Sequence, residues 1–246
     1  MDYVIEIENL KKTFEDKEIL KGINLHLPRE ENLAVCGKSG IGKTVLIKCM
    51  VGLMQPDSGK INVLGKDMMN PSLKDLEFIR RKIGFVFQGS ALYDSMSVRE
   101  NLSFTLKRST FSGSKTAIAE RVEEVLESVG LVDAIDKMPA ELSGGMKKRV
   151  GLARTLIKSP EIILYDEPTT GLDPATSMEI NEMILDVRKS NKVTSVIITH
   201  DMNCVRMTSD RMLIIHDGLI YTEGTFEQLK SSDDPWISSF FNKKEE

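Results

Sequence analysis

The 246-residue chain is poor in cysteine, has a single tryptophan and lacks any long apolar run, and each shortage closes off a class of protein. Cys36, Cys49 and Cys204 are odd in number, show no CxxC spacing and each lie in an apolar stretch, which argues against a disulfide framework or a zinc site. Buried, reduced thiols are expected instead. Apolar runs such as "IILY" at 162–165 and "MLII" at 212–215 fall far short of the ~20 residues that span a bilayer, so membrane association must come through a partner. The opening "MDYVIEIENLKKTF" lacks the basic start and apolar core of a signal peptide, and the chain is expected to stay in the cytoplasm. Positive charge is not in excess either. A formal charge of -4 and a pI near 5.6 disfavour binding to bulk nucleic acid.

What is present is a 41% hydrophobic content, ordinary for a chain with a substantial core. Tyr3, Ile5 and Ile7 alternate with Glu6 and Glu8, and "KEILKGINLHLP" continues in that style, predicting an antiparallel opening. "NLAVCG" then runs into a glycine loop, and Leu46, Cys49, Met50 and Leu53 follow at helical spacing; "PDSG" at 56–59 reads as a turn. From about Ser90 to Ser159 the pattern is helical, with Ile118, Val122, Val125, Leu126 and Val129 recurring every three or four residues behind a polar loop, "RSTFSGSKT". The strand-like runs "EIILYDE", "VTSVIITHD" and "RMLIIHDGLIY" resume after it, with a helix through Ile180, Met183, Ile184 and Val187 between the first two. Short apolar strands alternating with helices predict an α/β fold, a mainly parallel sheet with a helical insertion. No internal repeat is visible, so one nucleotide-binding unit is expected.

"GKSGIGKT", residues Gly37, Lys38, Ser39, Gly40, Ile41, Gly42, Lys43 and Thr44, fits G-x-x-x-x-G-K-[ST] between a predicted strand and a predicted helix. Such a loop turns backbone N–H groups toward phosphate oxygens, sets a lysine near the β and γ phosphates and offers a hydroxyl to Mg²⁺. "IILYDEP" is a buried strand ending in two acids; alone it reads equally as a strand leaving the core. After a phosphate loop, Asp166 can reach the Mg²⁺ shell while Glu167 orients and deprotonates a water attacking the γ phosphate. His200 ends another buried strand, where a structural histidine is the bland alternative to a γ-phosphate contact; His26 and His216 have no such setting. Gln88, an abrupt polar end to "IGFVFQ", either ligates Mg²⁺ or senses the attacking water. Phe14 is either core or an adenine-stacking ring.

A second phosphate grip stands in "ELSGGMKKRVGLART", where the Ser143 hydroxyl and the N–H groups of Gly144 and Gly145 precede a basic helix. The plain alternative is a capped helix start. The glycine loop need not reach the chain's own phosphate site, and a second copy docked head to tail can supply it.

In this order "GKSGIGKT", "FQ", "LSGGM", "LYDEP", "TGLD" and "ITH" closely resemble the nucleotide-binding subunit of an ABC transporter across almost the whole chain. The resemblance implies a P-loop ATPase fold, with a RecA-like mainly parallel core, an N-terminal antiparallel β subdomain and an inserted α-helical subdomain. It implies one domain over 1–246: core at 1–89 and 160–230, helical subdomain at 90–159 and tail at 231–246. It further implies that Gly37–Thr44 form the Walker A loop, Gln88 the Q-loop, Ser143–Gly145 the signature, Asp166 and Glu167 the Walker B pair, Asp173 the D-loop acid and His200 the switch histidine. Phe14 becomes a candidate adenine-stacking residue. ATP and Mg²⁺ are the implied cofactors. A homodimer, integral-membrane permease subunits and a peripheral place on the cytoplasmic side of the inner membrane are the implied setting.

Two positions depart from the commonest pattern, Met146 for glutamine and Phe14 for tyrosine; neither removes a phosphate donor or an acid. Within the family, "QGSALYDSMSVRENL" and "DEPTTGLDP" look like ATPases of the Mla/Mce type, which power phospholipid or sterol movement and bring accessory cytoplasmic and periplasmic lipid-carrier subunits; amino-acid and ion importers share much of this vocabulary. The tail, with Trp236, Ile237, Phe240 and Phe241, is expected to be a short helix packed on the core, with a docking surface as the alternative.

Overall fold

The structure is a computed structural model that describes residues 2–38, 40–109 and 111–241. The alternating opening folds into a hairpin of β1 (Tyr3–Phe14) and β2 (Lys17–Pro28), after which come β3 (Asn32–Cys36) and α1 (Lys43–Met50). β4 (Ser58–Val63) returns to the far side of β1, and the short β5 (Lys66–Asp67) completes an antiparallel sheet in the order β2-β1-β4-β5. α2 (Leu73–Lys82) leads into β6 (Ile83–Val86). Three helices follow, α3 (Val98–Lys107), α4 (Lys115–Ser128) and α5 (Gly144–Leu156), forming the expected helical stretch. The chain then runs through β7 (Ile162–Asp166), α6 (Pro174–Asn191), β8 (Thr194–Ile198), α7 (Met202–Thr208), β9 (Arg211–His216), β10 (Leu219–Gly224), α8 (Phe226–Lys230) and α9 (Pro235–Phe241).

The second sheet has the order β10-β9-β3-β8-β7-β6, parallel except for β10. Its inner strands are buried on both faces, which is why they read as unbroken apolar runs rather than alternating ones. One face packs with α1 and the antiparallel sheet through Leu33, Val35, Leu46 and Ile61. The other packs on the inserted helices and α6 through Ile163, Tyr165, Val150 and Ile184. A third cluster seats Ile237 and Leu229 against Ala34, Cys36 and Met212, so the tail as far as Phe241 packs on the core through a short helix as expected, and the rest of it lies outside the described residues. All three cysteines are free and buried, and burial pushes the Cys36 and Cys204 thiols up to about 12 and that of Cys49 up to about 11.

Three local expectations change. The helix read through Leu53 stops at Met50, because Gly52 (φ 64°) takes the left-handed position after the cap and the N–H groups of Gly52 and Leu53 turn back to Cys49 O and Lys48 O. Leu53 is left 59% exposed. Ser58 and Gly59, read as turn, already belong to β4, with Asp57 fixing the entry by accepting from Thr13 N and Lys12 Nζ, each at 2.6 Å. "RMLIIHDGLIY" is two strands, not one: Asp217 (φ 45°) and Gly218 (φ 75°) form the tight reversal that an Asp-Gly pair favours.

Candidate functional site

The 37–44 loop leaves the C-terminal end of β3, held between β8 and β9. A Cβ at Gly37 would lie 2.8 Å from Ile215 O, so the close passage of loop and β9 requires glycine. Gly42 (φ 110°) is the N-cap of α1 and brings no side-chain acceptor, which leaves the first-turn N–H groups of the helix for an outside anion. Lys43 Nζ donates to Gly37 O at 2.6 Å and to Lys38 O at 3.0 Å. Burial lowers the proton affinity of this ammonium, and Glu167, Cys36 and Asp166 pull it back up. Gly40 (φ 76°) and Lys38 are exposed, Ile41 half-buried and Thr44 exposed at the helix start; Ser39 lies outside the described residues.

Asp166 is the last residue of β7 and Glu167 follows it. Burial raises the Asp166 carboxyl above its ordinary range and the neighbouring Glu167 charge adds to this, while Lys43, Lys148 and Lys48 act against it. Glu167 has a left-handed backbone (φ 51°), a sparsely populated conformation for a side-chain-bearing residue. It is held from several sides. Its N–H donates to Ile198 O at 2.9 Å, its Oε1 meets His200 Nδ1 at 2.9 Å, and its Oε2 accepts from Thr170 Oγ1 at 3.0 Å and Thr199 Oγ1 at 3.4 Å. With Glu167 ionised, His200 Nδ1–H is the donor, which turns Nε2 away from the carboxylate. The two residues picked from separate strand ends thus form one unit.

Ser143–Gly145 and Asp173 form a second group. Ser143 caps α5 by accepting from Met146 N at 3.2 Å, the plain role foreseen beside the phosphate one. A Cβ at Gly145 would be 2.5 Å from Thr176 Cγ2, and one at Gly144 would be 3.5 Å from Leu172 Cδ2. Asp173 caps α6, accepting from Ala175 N, Thr176 N and Thr176 Oγ1, and the last of these partners holds its carboxyl below the usual range. Ser143–Gly145 therefore lie beside the start of α6 that Asp173 caps, with Ser143 and Gly144 exposed and Gly145 buried. Phe14 ends β1 at 42% exposure, with Lys12 Nζ 5.5 Å from its ring centroid.

Gln88 has an exposed side chain, but its backbone oxygen accepts from Lys148 Nζ at 2.6 Å, and the same ammonium reaches Glu167 O at 3.2 Å. Lys148 is only 7% exposed. Sequence reading missed it because "MKKR" looks like a solvated basic face. The one available signal was helical phase, since Lys148 shares a side of α5 with the buried Gly145, Leu152 and Thr155.

For Mg²⁺ the fit is partial from protein alone. Thr44, Asp166 and Gln88 offer the hard oxygen ligands that this ion prefers, and the raised Asp166 carboxyl marks a site that a cation would relieve. Among the described residues no group of three or more histidine, cysteine, aspartate or glutamate side chains forms a metal cluster, so phosphate and water oxygens would have to complete the octahedron.

A family model described as "ABC transporter" matches residues 20–170. The protein TRIGALACTOSYLDIACYLGLYCEROL 3, chloroplastic, of Arabidopsis thaliana is 39% identical over 256 residues, covering 97% of this chain and 73% of that protein. The solved structure of cbiO1 from Clostridium perfringens, part of the ABC transporter complex cbiONQ, superposes with a TM-score of 0.87 at 30% identity over 98% of this chain and 96% of its own. The dimeric post-hydrolysis structure of the ATP-binding cassette MJ0796, bound to ADP and Pi, gives 0.81 at 29% identity over 90% and 98%. Phosphate loop, acid pair and family match agree: the chain belongs to the ABC transporter family, as an ATP-binding and ATP-hydrolysing subunit.

Proposed function

We propose that two copies of this chain enclose two ATP·Mg²⁺, each site joining Gly37–Thr44, Asp166, Glu167 and His200 of one copy to Ser143–Gly145 and Asp173 of the other. The observation that carries this reading is the grouping of the signature start with Leu172 and Thr176, which places the second phosphate grip beside the start of α6 that Asp173 caps. The likeness to a dimeric cassette with ADP and Pi supports it. In each site Glu167, oriented by His200, takes the proton of the attacking water, and Lys43 with the open first turn of α1 stabilises the phosphate charge. Bound Mg²⁺ would neutralise phosphate charge beside Asp166, Thr44 and Gln88.

Mixing a Ser143→Arg chain with a Lys43→Ala chain tests the shared site. Each variant alone is expected to be inactive, while the mixture leaves one composite site intact and recovers part of the turnover. Recovery absent at every mixing ratio would rule out the trans arrangement.

Force leaves the dimer by contact, since no helix among the described residues is long and apolar enough to cross a membrane. An open groove of about 480 Å³ between the Q-loop strand and the 90–159 helices joins Phe87, Tyr93 and Phe104 to Arg80, Arg108 and Arg154, a mixture suited to an amphipathic helix of a permease subunit. The cargo we favour is phospholipid, moved with accessory lipid-carrier subunits by a complex at the cytoplasmic side of the inner membrane, and the relative bearing a galactolipid's name supports this choice. Affinity purification of the assembled complex from membranes is expected to bring a permease with bound phospholipid; a solute-binding protein in its place would reassign the system to small-solute import.

A further inference from the structure

One side of α5 faces the backbone that carries Gln88. Lys148 Nζ donates to Gln88 O at 2.6 Å, Thr155 Oγ1 donates to Phe85 O at 3.1 Å, and Arg154 Nη1 donates to Ala91 O. Between them, a Cβ on Gly151 would lie 3.2 to 3.3 Å from Ser90 backbone atoms, so Gly151 lets the loop lie close against the helix. The segment so held contains two consecutive left-handed residues, Ser90 (φ 58°) and Ala91 (φ 48°), a conformation that persists only when its surroundings over-determine it. These residues belong to the signature helix, whose first turn is Ser143–Gly145.

Lys148 does more than hold the loop. The same ammonium donates at 3.2 Å to the carbonyl of Glu167, whose N–H is fixed on Ile198 O and whose carboxylate is fixed by His200 and Thr170. Those other anchors all come from the core around β7 and β8; Lys148 brings one from the helical segment. A buried ammonium costs free energy unless its donors are taken, and here two neutral carbonyls take two of three donors while the Asp166 and Glu167 charges lie close enough to favour the cation.

We propose that Lys148 is a positioning residue for hydrolysis: by bridging Gln88 O and Glu167 O it sets the Glu167 backbone, and so the aim of its carboxylate, according to the position of the 85–91 segment. This rests on the assignment of Glu167 as the base. The groove that contains Phe85, Phe87 and Arg154 lies on that segment, so a partner seated there shifts the same carbonyl that Lys148 grips. The bridge thereby links the docking surface to the attacking water through one side chain.

The test compares Lys148→Met, Lys148→Arg and Glu167→Gln in the full chain, reading kcat and KM for Mg·ATP, the Kd of a fluorescent ATP analogue and thermal stability. Lys148→Met is expected to lower kcat by about 10-fold or more, since a small misplacement of a reacting group is costly, with analogue Kd changed less than about 2-fold. Lys148→Arg, which restores a donor and a charge, is expected to recover a large part of kcat. Folded Lys148→Met with kcat within about 2-fold of the parent would overturn the proposal. So would a loss in which kcat and melting temperature fall, analogue Kd rises and Lys148→Arg rescues none of them, the mark of a merely structural lysine. Should Lys148→Met fail to fold, Lys148→Gln, which keeps a donor without the charge, is judged by the same split. Glu167→Gln separates the two readings: if it retains turnover, the base assignment fails; if it is inactive while Lys148→Met is unchanged, only the bridge fails.

Discussion

At the scale of single residues, the site stores unfavourable electrostatics that function needs. Asp166 carries a carboxyl whose proton affinity is raised by burial and by the adjacent Glu167. For such a group the folded state holds its proton more tightly than the unfolded one, so its contribution to stability is complete below the unfolded pKa and is lost as pH rises through the folded one. The ionised form of Asp166 is thus one that the fold tolerates rather than favours. Asp166→Asn is expected to raise the melting temperature at pH 7 and to gain less or nothing at pH 4, while lowering Mg-dependent hydrolysis by about 10²-fold or more. Calorimetry at the two pH values and a turnover assay check it; a melting temperature that drops at pH 7 would contradict the assignment. The acids themselves were plain in the sequence, because a strand that ends abruptly in Asp-Glu after a phosphate loop has few other uses. Lys148 was hidden, because burial of one lysine among three basic residues depends on which side of α5 meets β6 and the loop after it.

Among the elements, legibility followed the source of each boundary. Helices and strands with strong periodicity, α4, α6, β7 and β8, were readable because local spacing and burial agree. The end of α1 was misjudged since apolar spacing continues to Leu53, yet the left-handed Gly52 decides the stop. α2, capped by Ser72, was not foreseen at all, although Leu73, Leu76 and Ile79 recur at helical spacing and Leu76 and Phe78 pack on the core beside the buried Ile79. The tail shows the opposite case, where four apolar residues in a short stretch marked a packed helix. In α9, Trp236 lies 4.4 Å from the His216 ring and 4.7 Å from that of Tyr221, and Ile237 is 6% exposed beside Ala34 and Cys36. Ile237→Ala is expected to cost about 2 kcal/mol or more, measured by denaturant unfolding. A change under about 0.5 kcal/mol would mean that α9 is a loosely held appendage.

At the scale of the whole molecule, both sheets meet the loop after β3, with Gly37 against Ile215 of β9 and Gly42 against Ile19 and Leu20 of β2. The fold class was legible as an alternation of strands and helices, but the strand order β10-β9-β3-β8-β7-β6 was not, because pairing between distant segments leaves no local trace. That order has a consequence in time. β3 pairs on one side with Thr194–Ile198 and on the other with Arg211–His216, so the strand that anchors the phosphate loop waits for two strands that are made long after it. In the interval the apolar β3 is without its neighbours, whereas the antiparallel sheet β2-β1-β4-β5 already has all its strands. Stalled nascent chains of increasing length, probed by limited proteolysis, should gain protection of the 37–44 loop only once residue 216 has cleared the exit tunnel; protection already at residue 190 would refute this order. A chain still lacking β9 would then be unable to hold ATP, so nucleotide binding itself would report that both flanking strands are in place.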